Sequence, residues 1–221
     1  VLFRSVKELA EKLYAEVNWK AYLDPENKQV YMTWIPDEWG EMDGPGKFDP
    51  QTWDWYSDET LLIALLGIAA PNPEFRLKQE QLTNWVRKEG SLGDLEYVYS
   101  WPGTLFTYIF AHCYYDFSRM GIDPGGTDWH FNTDMAVRAN RDWCRSQSDK
   151  FSTYGFNRWG ITAGSGPGGS YVVPGHQPRG ASGNDPAGGT LHPYGAGMSV
   201  PYVPEDAINA LRHMRYLKVG D

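Results

Sequence analysis

The chain has 221 residues, a net charge of -8 and a pI near 5.1, so it lacks the basic surface that grips a phosphate backbone, and nucleic acid is excluded as a partner. Hydrophobic residues make up 41% and charged residues 22%, the proportions of an ordinary globular chain, and no run reaches the roughly 18 apolar residues of a membrane span. Aromatic residues stand apart at 15%, with 10 Trp and 14 Tyr, whereas the two cysteines, Cys113 and Cys144, are too few for a disulfide framework and are expected as buried thiols.

Ser5-x-x-Glu8 has the form of a capping box. It predicts a first helix in which Val6, Leu9, Ala10, Leu13, Tyr14 and Val17 follow helical spacing. From Asn18 to Tyr56 the chain is irregular and broken by Pro25, Pro36, Pro45 and Pro50, with QVYMTWIP and WDWY as extended pieces. Ser57 then caps a helix from Asp58 to about Ala69. Its body is apolar nearly all round, which predicts a fully buried helix. Pro71 and Pro73 end it and open a predicted helix over 73–89, with Leu77, Leu82, Trp85 and Val86 on one face. A Gly-rich connector leads through YVYSWPG to a long apolar helix, about Thr104 to Met120. Another helix covers about Phe131 to Gln147, with Met135, Ala136, Ala139 and Trp143 on one side. The last helix starts at Pro204, with Glu205 and Asp206 in its first turn, and buries Ala207, Ile208, Leu211, Met214 and Leu217.

There is no βαβ rhythm in this order. Two helices that read as buried on all sides fit a double ring, whose inner helices are covered and whose loops gather at one rim. The expected fold is therefore all-α, an (α/α)6 toroid that this chain covers only in part. A start at VLFRS and an end just past an amphipathic helix carry the expectation of an internal fragment, truncated at both ends.

Between Tyr154 and Pro204 neither helical nor strand periodicity is present, and more than half of the 24 glycines lie there. Trp159, Tyr171, Tyr194, Tyr202, His176 and His192 lie there too. A disordered linker lacks such aromatics, and a long irregular stretch within a compact domain is usually a functional loop. Glycines let backbone approach a ligand, and aromatic rings give it flat faces to stack on. Many tryptophans elsewhere adjoin Gly, Pro or acidic residues rather than core spacing. Half-exposed Trp of this kind suits the apolar C–H face of a sugar ring, and Trp34, Trp39, Trp101 and Trp159 are the first candidates, each set against ordinary packing.

Five segments resemble one family. WDWYSDETLLIALLGIAAPNP, LFTYIFAHCYYDFSR, FNTDMAVRANRDWC, RWGITAGSGPGGSY and GGTLHPYGAGMSVPYVPEDAINALRHM are similar, in order and spacing, to segments of the bacterial glycoamylase-like family, which includes endo-β-1,2-glucanases. The match runs from about Leu13 to Leu217. It implies that residues 1–221 form part of one α/α-barrel catalytic domain that cleaves β-glucan, most closely β-1,2-glucan, with inversion. It implies a periplasmic or extracellular location, an oligosaccharide or polysaccharide partner and no cofactor. It also implies a general base beyond Asp221.

Inverting hydrolysis needs one carboxyl group to protonate the leaving oxygen and another to activate water. Glu59 is the candidate acid. It follows Trp53, Trp55 and Tyr56, which could hold sugar rings, and it opens an apolar helix whose surroundings raise a carboxyl pKa. The helix N-terminus opposes that shift, and Asp58 and Glu59 could equally be first-turn acids that complement the dipole. Asp58 is the secondary candidate. His112, Asp116 and Arg119, at i, i+4 and i+7, would share a helix face as a pocket lining, or form a self-contained ion pair beside a core histidine. No third ligand has the spacing for a metal. His192 and Tyr194 could face the same groove. GSGPGG lacks the Lys-Ser/Thr ending and preceding strand of a phosphate loop. Glycosyltransfer or phosphorolysis on the same fold, and glycan binding without chemistry, are the competing functions.

Overall fold

The computed structural model describes residues 2–36, 46–182 and 188–216. The chain divides into two compact units, one of Val1–Trp55 with Thr60–Val86, the other of Tyr56–Glu59 with Arg87–Asp221.

The first unit opens with α1, Leu2–Glu16. Ser5 lies inside this helix rather than at its cap, because the helix already begins at Leu2. Phe3, Val6, Leu9 and Leu13 form its apolar stripe, and all four are exposed. The Tyr14 hydroxyl donates to the Leu66 carbonyl at 2.6 Å, and Tyr14 meets Trp19 edge to face. Two short strands, β1 (Trp34–Ile35) and β2 (Lys47–Phe48), pair antiparallel. Single bridges join Tyr31 to Thr52 and Trp55 to Val86, so the expected extended pieces are present. Helix α2, Asp58–Ala69, starts where the sequence places it. It is less enclosed than expected: Leu61, Ala64 and Gly67 are buried at three-residue spacing, and Leu62, Ile63, Leu65, Leu66 and Ile68 flank them half-buried.

The expected helix over 73–89 does not form. The Asn72 side chain accepts from the Glu74 amide, which sets a turn, and only a 3-10 turn, Gln79–Leu82, follows. Trp85 donates its indole N–H to the Gln81 carbonyl, and the backbone is extended by Val86, whose amide bonds Asp54.

In the second unit β3 (Lys88–Leu92) and β4 (Leu95–Tyr99) make an antiparallel hairpin with Leu92 opposite Leu95. Gly93 takes a φ of +59° at the first turn position, where a tight hairpin requires a left-handed residue. This sheet, with β1–β2 and the pair β5 (Gly164–Ser165) and β6 (Tyr171–Val172), departs from a purely all-α chain.

The expected helix 104–120 is also broken, into α3 (Phe106–Ile109) and 3-10 turns at Ala111–Cys113 and Phe117–Arg119. The break has a physical cause: the Ala111 amide donates to the Asp58 carboxyl at 2.9 Å instead of to a carbonyl one helical turn back.

Helix α4, Trp129–Ser146, matches its prediction and is the spine of this unit. Asp128 caps it by accepting from the Phe131 amide. Asn132 donates to the Val98 carbonyl and accepts from the Val98 amide, closing the free edge of β4. Asn140 does the same for Ile161, donating to its carbonyl and accepting from its amide. Both asparagines are buried, so these paired bonds satisfy backbone that water cannot reach. The second unit ends with α5 (Pro193–Met198) and α6 (Pro204–Arg215). Asp206 of α6 accepts from Arg141 and Arg145 of α4 at 2.6 and 2.7 Å. Leu217 lies outside the described residues.

Candidate functional site

The site begins at the four residues that precede the body of α2. Tyr56 is fully buried and stacks on Trp129, with ring centroids 4.6 Å apart. Its hydroxyl donates to Asp58 at 3.2 Å. Asp58 is itself completely buried, with the Ala111 amide on its other oxygen. Burial pushes its pKa up to about 8, against the pull of the Ala111 and Tyr56 hydrogen bonds. At neutral pH it is therefore mainly the uncharged acid. Glu59, one residue on, is half-buried, and loss of water around it raises its pKa as well. Of the two carboxyl groups, only Glu59 has surface to offer a ligand.

By holding Ala111, Asp58 places His112. His112 Nε2 lies 2.9 Å from Thr133 Oγ1, and Nδ1 lies 2.7 Å from the Tyr202 hydroxyl. Both ring nitrogens are thus taken, and neither is free for a sugar. Burial, with His130 nearby, lowers the His112 pKa to about 3. His112 and Tyr202 lie in the wall of a cleft of about 620 Å³ that also includes Tyr114, Tyr115, Asp116 and His130. A second cleft of about 390 Å³ shares His130 and Tyr202 and adds Asp134 and Arg138. Glu59 is not among the residues of either cleft.

The helical stripe expected of His112, Asp116 and Arg119 does not exist, because the helix is broken between them. Asp116 is exposed and accepts from the Ser118 hydroxyl at 2.5 Å. Arg119 is exposed, outside both clefts. Trp159 is fully buried, so its ring is a core element and offers no face for stacking. Trp101 is 51% exposed and does offer one. In the first unit Trp34 is 38% exposed and covers the backbone of Gly46, while Trp53 and Trp55 are half-buried. Trp39 lies outside the described residues. Cys144 is a buried thiol as expected, but Cys113 is exposed, beside the cleft.

His192 and Tyr194 hold the loop to itself. His192 Nε2 contacts the Ser165 carbonyl at 3.1 Å. The Tyr194 hydroxyl donates to Ala163 and accepts from Thr162. Tyr194 is nonetheless 42% exposed. Gly160, Gly175 and Gly195 are loop glycines where backbone passes close to backbone. A Cβ on Gly175 would lie 1.8 Å from the Pro102 carbonyl oxygen, and one on Gly195 would lie 2.7 Å from that of Gly160.

The sequence marks Tyr202 only as one of the loop aromatics, and His130 and Thr133 not at all. An aromatic two residues before the Pro204 helix start was a usable signal for Tyr202. Nothing local marks Thr133. Among the described residues, no group of three or more His, Cys, Asp or Glu side chains could hold a metal ion, and no helix is long and apolar enough to cross a membrane.

This arrangement of buried acid, half-buried acid and aromatic cleft sits in a chain whose residues 50–221 match the glycoamylase family model, described as "putative glucoamylase". The match covers well over half of the chain, and the protein belongs to that family. Among its relatives is an exo-β-1,2-glucooligosaccharide sophorohydrolase (non-reducing end) of Parabacteroides distasonis, 24% identical over 95% of this chain and 30% of the relative. The endo-β-1,2-glucanase of Chitinophaga pinensis, solved with sophorotriose and glucose, superposes with a TM-score of 0.73 at 22% identity, over 93% of this chain and 47% of that one. A β-1,2-glucanase from Parabacteroides distasonis gives 0.72 at 19% identity, over 95% and 31%. The chain thus shares their fold and spans less than half the length of each.

Proposed function

We propose that the protein is a glycoside hydrolase that cleaves β-1,2-linked glucan by inversion, within an (α/α)6 toroid, with Glu59 as the general acid. The observation that carries this reading is the contrast between adjacent carboxyl groups. Asp58 is sealed and spends both oxygens on Tyr56 and Ala111. Glu59 is half-open, and its pKa is raised by burial alone. A general acid must hold its proton at working pH and still reach the leaving oxygen. Family membership and the β-1,2-glucan activities in the relatives' names support the substrate class. Trp101 and Tyr194, both partly exposed, are the stacking faces that the second unit, which carries Glu59, offers.

The test is incubation of the full-length protein with linear β-1,2-glucan, with and without phosphate. Reducing ends report hydrolysis, and NMR of the first anomer released reports inversion. Glu59→Gln is expected to lower kcat by at least about 100-fold with KM little changed, the usual contribution of a positioned acid. Activity is expected to fall as pH rises through the raised Glu59 pKa, because the acid form does the work. Normal turnover in Glu59→Gln removes the assignment. Product formed only with phosphate would favour phosphorolysis, and binding without turnover would favour a glycan-binding protein.

A further inference from the structure

The hydrogen bonds around His112 run in one direction. Thr133 Oγ1 gives its single proton to the Tyr108 carbonyl at 2.8 Å. The 2.9 Å contact between Thr133 Oγ1 and His112 Nε2 must then be a bond donated by Nε2–H. Burial keeps the ring neutral, with its pKa held down to about 3, so it carries one proton, on Nε2. Nδ1 is consequently an acceptor, and the 2.7 Å contact with Tyr202 is a bond donated by the phenol. Burial also raises the Tyr202 pKa, so that hydroxyl stays protonated. Its single proton is therefore committed inward, along Tyr202 to His112 to Thr133 to the Tyr108 carbonyl. What remains on the Tyr202 oxygen is acceptor capacity.

We propose that Tyr202 is an acceptor-only contact for a sugar hydroxyl in the cleft, and that His112 is the positioning residue that makes it so. This rests on the reading of the protein as a β-1,2-glucan hydrolase. The cleft has the size of a small-molecule site. Tyr114 is 65% exposed in it, an apolar face for a ring. His130 lies tilted against the Tyr202 ring at 5.4 Å and restricts its swing. The consequence is selectivity: a ligand group that donates is accepted, and one that can only accept meets two opposed lone pairs.

Two measurements on the full-length protein test this. Nitrogen-15 NMR of labelled histidines is expected to show His112 protonated on Nε2 and bare on Nδ1, unchanged between pH 5 and 8. The other tautomer, or an imidazolium, overturns the proposal whatever the protein's activity, so its failure is separate from failure of the hydrolase reading. In kinetics with β-1,2-glucooligosaccharides, Tyr202→Phe is expected to raise KM about tenfold, the worth of one good hydrogen bond, with kcat reduced less than twofold. His112→Leu is expected to match it. His112→Asn, whose Oδ1 stands where Nδ1 stood, restores KM toward wild type. Replacing substrate hydroxyls one at a time with fluorine, which cannot donate, should find one position whose loss is not additive with Tyr202→Phe. An unchanged KM in Tyr202→Phe, or no rescue by Asn while the melting temperature is retained, overturns the proposal.

Discussion

Replacing Asp58 by Asn removes an ionisation without changing the shape of the side chain. The folded state holds the Asp58 proton to about pH 8, whereas an unfolded aspartate loses it near pH 3.9. Between those values the native state binds one more proton than the unfolded state. Stability contributed by this group is fully present below the unfolded value and is lost as pH rises through the folded one. The loss is about 1.4 kcal/mol per pH unit, or about 4 kcal/mol between pH 4 and pH 7. Asparagine has no such slope. Its Oδ1 can accept from the Ala111 amide, and its Nδ2 can donate to the Tyr56 oxygen once the Tyr56 proton turns away from that position, as it must also when Asp58 carries its own proton. The stability difference between Asp58→Asn and wild type is thus expected to grow in favour of Asn by that amount across the interval. Chemical denaturation of both proteins at each pH measures it. Parallel stability curves from pH 4 to 8 would refute the buried, protonated Asp58. If Asp58→Asn also loses its activity, the division of labour between Asp58 and Glu59 is wrong too.

Two further perturbations probe the second unit. Asn140→Ala leaves the buried Ile161 amide without an acceptor, though its carbonyl keeps the Leu105 amide. Denaturation is expected to show a loss of about 3 kcal/mol, and a loss under 1 kcal/mol would mean that water or a shifted loop replaces the side chain. Asp123 binds Arg87 at 2.8 Å, both side chains being 13% exposed or less, and it also accepts from the Trp129 indole and two backbone amides. Asp123→Ala takes the counter-charge from a largely buried guanidinium, which keeps Thr127 and the face of Trp129, and is expected to cost about 3 kcal/mol. Burial pushes the Asp123 pKa up, but Arg87 and the other donors together outweigh it and leave the pKa lowered. Its contribution is therefore present above the unfolded pKa and lost as pH falls through the folded one, opposite in sign to that of Asp58. Thermal melts of wild type and Asp123→Ala from pH 6 to pH 3 are expected to converge.

Elements whose signals are local were legible in the sequence. Helix α2 has two acids and an apolar body, α4 has Asp128 as cap, and α6 has Pro204 with Glu205 and Asp206. The helix expected over 104–120 failed for a reason no window of sequence contains: a carboxyl group 53 residues earlier claims the Ala111 amide. The hairpin Lys88–Tyr99 did have a local signal, in Gly93-Asp94 and the alternation of LEYVY, but helical spacing through Trp85 and Val86 ran over it. At the site, the tie between Asp58 and the turn bearing His112 was beyond reach, as was the Thr133 link. Trp159 was misplaced because glycine-flanked tryptophan looks the same whether it lines a groove or plugs a core.

The two asparagines of α4 make that helix a gauge. Asn132 and Asn140 are separated by a fixed rise of about 12 Å and eight residues of turn, and each is keyed to the backbone of a different neighbour, Val98 and Ile161. Removing or adding one residue between them would swing one key about 100° away from its lock while the other stayed engaged. Every residue between the two asparagines is buried or half-buried, so this stretch is held by its packing as well as by its length. Anyone grafting or shortening this scaffold must keep residues 132–140 as a unit.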